Sequence, residues 1–107
     1  MNSTTRVASI IDHLGGEKFL ASFGARNFVT DESSFGFTLV FENPKNIHSV
    51  IISIEAHGGF KVSCYGRIAP GTLHAPMLAT ESVTIAENLA AVLGKLTGIE
   101  ALKHKHL

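Results

Sequence analysis

Cysteine is almost absent from this chain: Cys64 stands alone among 107 residues, so no internal disulfide can form. Stability has to come from an ordinary packed core, and a reducing, cytoplasmic setting is the expectation. No apolar run approaches the roughly 18 residues that a membrane-spanning helix requires. The opening residues, Met1-Asn2-Ser3-Thr4-Thr5-Arg6, lack the charged start and apolar stretch of a signal peptide. A surplus of charge of either sign is missing too, since nine basic and nine acidic side chains leave the chain formally neutral. That balance argues against a nucleic-acid binder, which normally carries a basic excess to neutralise phosphates. It argues equally against an acidic mimic of DNA. Six histidines add positive charge at mildly acidic pH without naming a compartment.

What is present is a globular composition, 45% apolar and 17% charged, on a chain long enough for one domain, residues 1–107, with a real core. The first 23 residues read as helical. Val7, Ile10, Ile11 and Leu14 follow the spacing of one buried helical stripe, with Ser3, Thr4 or Thr5 available as N-cap. Gly15-Gly16 interrupts the pattern, and a short second stretch from Glu17 to Phe23 stops at Gly24. The helical region is therefore placed at 4–23.

From residue 26 to 68 the period changes to two. Phe35, Phe37, Leu39 and Phe41 alternate with polar or small residues, as do Val50, Ile52, Ile54 and Ala56, and then Phe60, Val62 and Cys64, with Ile68 on the same face. Aligning these faces pairs Leu39 with Val50 and Phe37 with Ile52 around an Asn43-Pro44-Lys45-Asn46 turn. It pairs Ala56 with Phe60 and Ile54 with Val62 around His57-Gly58-Gly59, leaving Glu55 opposite Lys61. A turn at Asp31-Glu32-Ser33-Ser34 brings Phe28 opposite Phe37. The expectation is a four-stranded antiparallel meander with strands near 26–30, 35–42, 47–56 and 60–68. After it come an irregular loop over 69–79 and a helix near 81–97. The helix carries Ile85, Leu89, Val92, Leu93 and Leu96 on one face, with Thr84 and Glu87 spaced as a capping box and Gly98 closing it. The fold class is α+β, with the helices covering one face of the sheet.

Candidate chemistry is thin. The segment around Ile10 to Ala21 superficially resembles the first two helices of a small phage repressor. Downstream of it, however, stand Phe28-Val29-Thr30-Asp31-Glu32, a strand and acidic residues where a basic recognition helix would be needed. Glu55 and His57 near Tyr65 and Arg67 read first as a solvated hairpin tip and only second as a site. His104 and His106 offer two ligands where a zinc site wants three or four. Cys64 falls on the inward face, which favours a buried thiol over a nucleophile. The glycine pairs match no phosphate-binding loop. No catalytic residue, metal site or cofactor is assigned, and the chain is read as a non-enzyme.

There remains the outward face of the sheet, polar but poor in charge at its centre. Under the expected register Thr38, Ile51 and Tyr65 align across three strands, with Val40, Ser49 and Arg67 in the next row and Gly36, Ser53 and Ser63 beyond. Tyr and Arg beside small residues and isolated aliphatics are typical of contact surfaces, although antiparallel sheets commonly leave one face to water. Thr38, Val40, Ile51, Tyr65 and Arg67 are the candidate binding residues.

Leu14-Gly15-Gly16-Glu17-Lys18-Phe19, then Gly24-Ala25-Arg26-Asn27-Phe28-Val29, then alternating strands and a closing Thr97-Gly98-Ile99, resemble a family of small phage and prophage accessory proteins. Its members carry L-G-G-x-x-F and G-A-x-x-F segments before a sheet, and a helix ending near a T-G-hydrophobic step. These motifs are structural, so no functional residue carries over. The resemblance implies context, a phage accessory protein in a bacterial cytoplasm. With no active site to read, the first hypothesis is a protein that works by contacting a host or phage protein, inhibition of a defence or replication enzyme being one form such contact takes. Self-association through the same face, or through an edge strand at 60–68, is the alternative. Binding of nucleic acid or a nucleotide by Lys61, Arg67 and the basic tail is a weaker one.

Overall fold

The structure is a computed structural model that describes residues 3–40, 42–56, 58–68 and 70–99, with side chains from Val7 onward. The N-cap candidates at positions 3–5, Phe41, His57 and the histidines of the tail lie outside the described side chains. The element order is α1 (Ser3–His13), α2 (Glu17–Ala21), β1 (Ala25–Thr30), β2 (Ser34–Leu39), β3 (Ser49–Ile54), β4 (Phe60–Tyr65), β5 (Met77–Val83), a 3-10 turn at Ala86–Asn88, and α3 (Leu89–Thr97). The five strands form one antiparallel sheet in the order β1-β2-β3-β4-β5. The class is thus α+β with a C-terminal helix, and the sheet has one strand more than the alternation predicts.

The helices and sheet share one core. Val7 and Ile10 on α1 and Leu14 just past its end are buried, as the helical spacing requires, and Ile11 packs beside them. Phe35, Phe37 and Leu39 from β2, Val50 and Ile52 from β3, and Val62 and Cys64 from β4 supply the sheet's side of that core. Leu89, Ala90 and Leu93 of α3 complete it. Phe28 sits against both Phe35 and Phe37, with ring centroids 6.0 and 6.1 Å away. Gly98 ends α3 at φ 77°, in the left-handed region that glycine enters without a Cβ penalty, and its N–H donates to the Gly94 carbonyl at 2.8 Å. Ile99 folds back onto the core.

Of the three expected hairpin registers, β1–β2 is observed as expected, with Val29 opposite Gly36, while β2–β3 and β3–β4 are each displaced by two residues. Phe37 pairs with Val50 and Phe35 with Ile52; Ile54 pairs with Phe60 and Ile52 with Val62. Lys61 therefore lies opposite Ser53, not Glu55. A slip of two preserves every inward and outward assignment, so hydrophobic alternation cannot detect it, and the loops decide. In the β2–β3 loop Asn43 closes a ring of its own. Its Oδ1 accepts the Ile47 N–H and its Nδ2 donates to the Ile47 carbonyl, both at 2.8 Å, while Asn46 turns at φ 56°. This tucks Ile47 into the core and makes a longer loop than a four-residue turn. Between β3 and β4 the Glu55 N–H donates to the Gly59 carbonyl at 2.8 Å, and Gly58 takes the left-handed position at φ 104°. β2, β3 and β4 are accordingly shorter than expected, and Ile68, placed in the core by the alternation, is exposed beyond the end of β4.

The region after residue 69 departs furthest from expectation. In place of a loop to residue 79 and a helix from 81, β5 runs from 77 to 83 beside β4. Its inward residues are Ala79, Glu81 and Val83, opposite Cys64, Val62 and Phe60. A small residue, a charge and one aliphatic make too weak an alternation to announce a strand. Glu81 is accommodated on that side because β5 is an edge, where Lys95 of α3 pairs with it. Helix α3 starts eight residues later than expected. Ile85 is exposed, and no side-chain cap forms at Asn88, so the Thr84/Glu87 capping box plays no part in starting α3.

Candidate functional site

The outward face follows from the same register. One row across it reads Val29, Gly36, Ile51, Ser63, Thr80; the next reads Arg26, Thr38, Ser49, Tyr65, Met77. Gly36 has no side chain, so Val29 (64% exposed) and Ile51 (40% exposed) flank a trough above it. A Cβ at Gly36 would stand 3.2 Å from the Val50 carbonyl oxygen and 3.6 Å from Ile51 Cγ1, so the strand interior is tight there. The resulting groove has a volume of about 340 Å³ and is lined by Val29, Gly36, Thr38, Ser49 and Ile51 among others.

Local chemistry holds the rim of this groove in place. Asn27, at φ 57°, forms a bulge that sets two residues of β1 against one of β2. Its Nδ2 donates to Thr38 Oγ1 at 3.0 Å, and that hydroxyl donates to the Arg26 carbonyl at 3.2 Å. The Arg26 guanidinium is occupied by the carbonyls of Ala21 (3.1 Å) and Ala25 (2.8 Å). Asp31 Oδ1 accepts the N–H groups of Ser33 and Ser34, both at 2.8 Å, closing the β1–β2 turn. Those bonds, the Ser33 N–H foremost, hold the Asp31 carboxyl below its ordinary value. Ser63 and Thr80 hydroxyls lie 3.4 Å apart.

Of the five candidate residues, the structure sets Thr38 and Tyr65 in one row, through Ser49, and Ile51 in the adjoining row. It does not bring Val40 or Arg67 into either. Val40 lies past the end of β2, its N–H bonded to the Gly24 carbonyl at 2.9 Å. Arg67 lies past β4 and lines a separate cavity of about 420 Å³ at the end of the sheet, with Leu39, Glu42, Ile47, His48 and Leu78. Val29, Met77 and Leu78 are exposed apolar residues that the expected register leaves out of the site. Pairing both Val29 and Ile51 with Gly36 would have identified the first; the other two depend on recognising β5.

Cys64 is fully buried, and desolvation pushes its thiol up to about 11, so it is not a nucleophile at neutral pH. Among the described residues no cluster of three or more His, Cys, Asp or Glu is spaced to hold a metal ion, and no helix is long and apolar enough to cross a membrane. Compared with known proteins, the chain matches no family model, no curated protein and no solved structure.

Proposed function

We propose that this protein acts without catalysis, by binding another protein through the outward face of its sheet. The observation that carries this reading is the row in which Val29 and Ile51 flank Gly36. Exposed aliphatics with a trough between them accept a partner's side chain. The hydroxyls of Thr38 and Ser49 beside them supply the polar margin usual around such an anchor. The segments resembling phage and prophage accessory proteins suggest the setting, a bacterial cytoplasm, and the partner, a host or phage protein such as a defence or replication enzyme that the contact would inhibit.

The test is a pull-down from bacterial lysate with the tagged chain and with Ile51→Asp. A specific band lost in the variant is the expected result. A band retained by both Ile51→Asp and Tyr65→Ala, each shown to be folded, would place the contact elsewhere.

A second reading, self-association, gains from the topology. Residues 60–65 cannot serve as the pairing edge, because β4 lies between β3 and β5. The sheet edges are β1 and β5, and residues 77–83 of β5 contain neither proline nor lysine, two of the devices that discourage strand-to-strand pairing. Light scattering at high protein concentration separates the readings: a strict monomer removes this one.

A further inference from the structure

The cavity at the end of the sheet has a chemistry unlike the rest of the surface. Its apolar lining is Leu39, Ile47 and Leu78, and its polar lining is Glu42, Asn43, Asn46, His48 and Arg67. The Asn43 side chain is spent on Ile47, whereas Glu42 and Arg67 are exposed and, among the described residues, make no side-chain hydrogen bond or ion pair. His48 is tied by its backbone, its N–H donating to the Tyr65 carbonyl and its own carbonyl accepting from Leu39, both at 2.7 Å. Its Nδ1 is nevertheless buried with no hydrogen-bond partner. A buried polar atom left unpaired costs free energy and calls for an explanation. Arg67 and Glu42 line the same cavity, yet neither forms an ion pair with the other or with any described residue. The volume, about 420 Å³, lies within the range of small-ligand sites.

We infer that this cavity is a binding site for a small zwitterion of the amino-acid type. Arg67 takes the carboxylate, for which a guanidinium offers a fork of parallel donors. Glu42 takes the ammonium group, and Leu39, Ile47 and Leu78 receive the apolar side chain, with His48 lining the same cavity. The opposed charges decide the class. A simple carboxylate would face Glu42 and a simple amine would face Arg67, whereas a ligand carrying both signs leaves neither charge opposed. The site is separate from the outward sheet groove, so it stands or falls independently of the protein contact proposed above.

The experiment is a nuclear magnetic resonance titration of the isotopically labelled full-length chain with an equimolar mixture of the twenty free amino acids. Each member that moves the His48 imidazole resonances is then titrated alone. Saturable movement at His48, with Ile51 unaffected, is the expected result. Arg67→Ala, with a dispersed spectrum showing that it is folded, should weaken binding by about tenfold or more, the equivalent of one lost interaction of about 1.4 kcal/mol. The amide of the same amino acid, which lacks the carboxylate, and its N-acetyl derivative, which lacks the cation, should each bind at least about tenfold more weakly. No saturable shift from the mixture overturns the site. An N-acetyl derivative that binds as tightly as its parent overturns the zwitterion in favour of a plain anion.

Discussion

On β2 and β3, Phe35, Phe37, Val50 and Ile52 point to one side of the sheet and are at most 3% exposed. Gly36, Ser49 and Ile51, interleaved with them along the same strands, point to the other, where Ile51 is 40% exposed. Backbone, pairing partners and local sequence are common to both sets; only parity along the strand separates them. The inward set is large, apolar and covered by α1 and α3, so its side chains determine whether the chain folds. The outward set is small, hydroxylated and nearly uncharged, and it can change with little effect on the fold. Stability should therefore respond to one parity and binding to the other, which is a division that substitutions can break.

The largest effect belongs to the inward side. Phe35→Ala removes a fully buried ring that stacks on Phe28, at 6.0 Å, and lies 5.7 Å from Phe37. The expected loss is about 3–5 kcal/mol, from lost transfer energy and the cavity left behind. That is a large share of the whole stability of a domain of this size. Urea unfolding followed by circular dichroism measures it; a loss below about 1 kcal/mol would mean that the inward face is not a close-packed core.

Next comes the cover over that face. Gly98→Ala places a Cβ 2.9 Å from Pro44 Cβ and asks a non-glycine residue to hold φ 77°. A cost of about 2 kcal/mol is expected, read from the same unfolding curves. If the variant is as stable as the parent, the end of α3 is not seated against the β2–β3 loop.

Cys64 gives the inward side a pH signature. Its thiol is raised from 9.0 to about 11 by burial, so the folded state retains a proton that the unfolded chain loses first. The contribution is therefore intact below about pH 9 and declines as pH climbs from 9 toward 11. Unfolding midpoints at pH 8 and pH 10.5 should differ more for the parent than for Cys64→Ala, compared each against itself. A native thiol that reacts with a disulfide reagent at pH 8 as fast as the unfolded one would contradict its burial.

This division into faces is legible in the sequence because alternation records parity, and parity survives the two-residue slip that displaces the β2–β3 and β3–β4 hairpins. Their register is not. It depends on Asn43 closing onto Ile47 and on the left-handed Asn46, features of side-chain geometry that leave only a common turn composition behind. β5 is hidden for a related reason. With Ala79 and Glu81 as inward residues, it is held by pairing with β4 and by Lys95 from a distant helix, which no local pattern encodes. Those two gaps explain why Ile51 is read opposite Thr38 when it pairs with Gly36, and why Met77 and Leu78 are missing from the expected face. They also explain why Arg67 reads as part of a row it does not join, and why its cavity with Glu42, His48 and Leu78 has no sequence signal at all.

The smallest effect on stability should come from Ile51→Asp, and this makes it the sharpest test of the division. Ile51 stands beside Gly36 and Ser63 on the outward face, with no residue of α1 or α3 above it. An aspartate there reaches water directly and should cost no more than about 1 kcal/mol, the span of strand propensity. The same substitution puts a charge at the centre of the proposed contact, where a partner's apolar group would strip it of water, so binding should be lost. Unfolding and capture measured on one preparation test both halves together. A variant that unfolds as easily as Phe35→Ala would show that the outward parity belongs to the core after all, while a stable variant that still captures its partner would leave this face a solvated surface and nothing more.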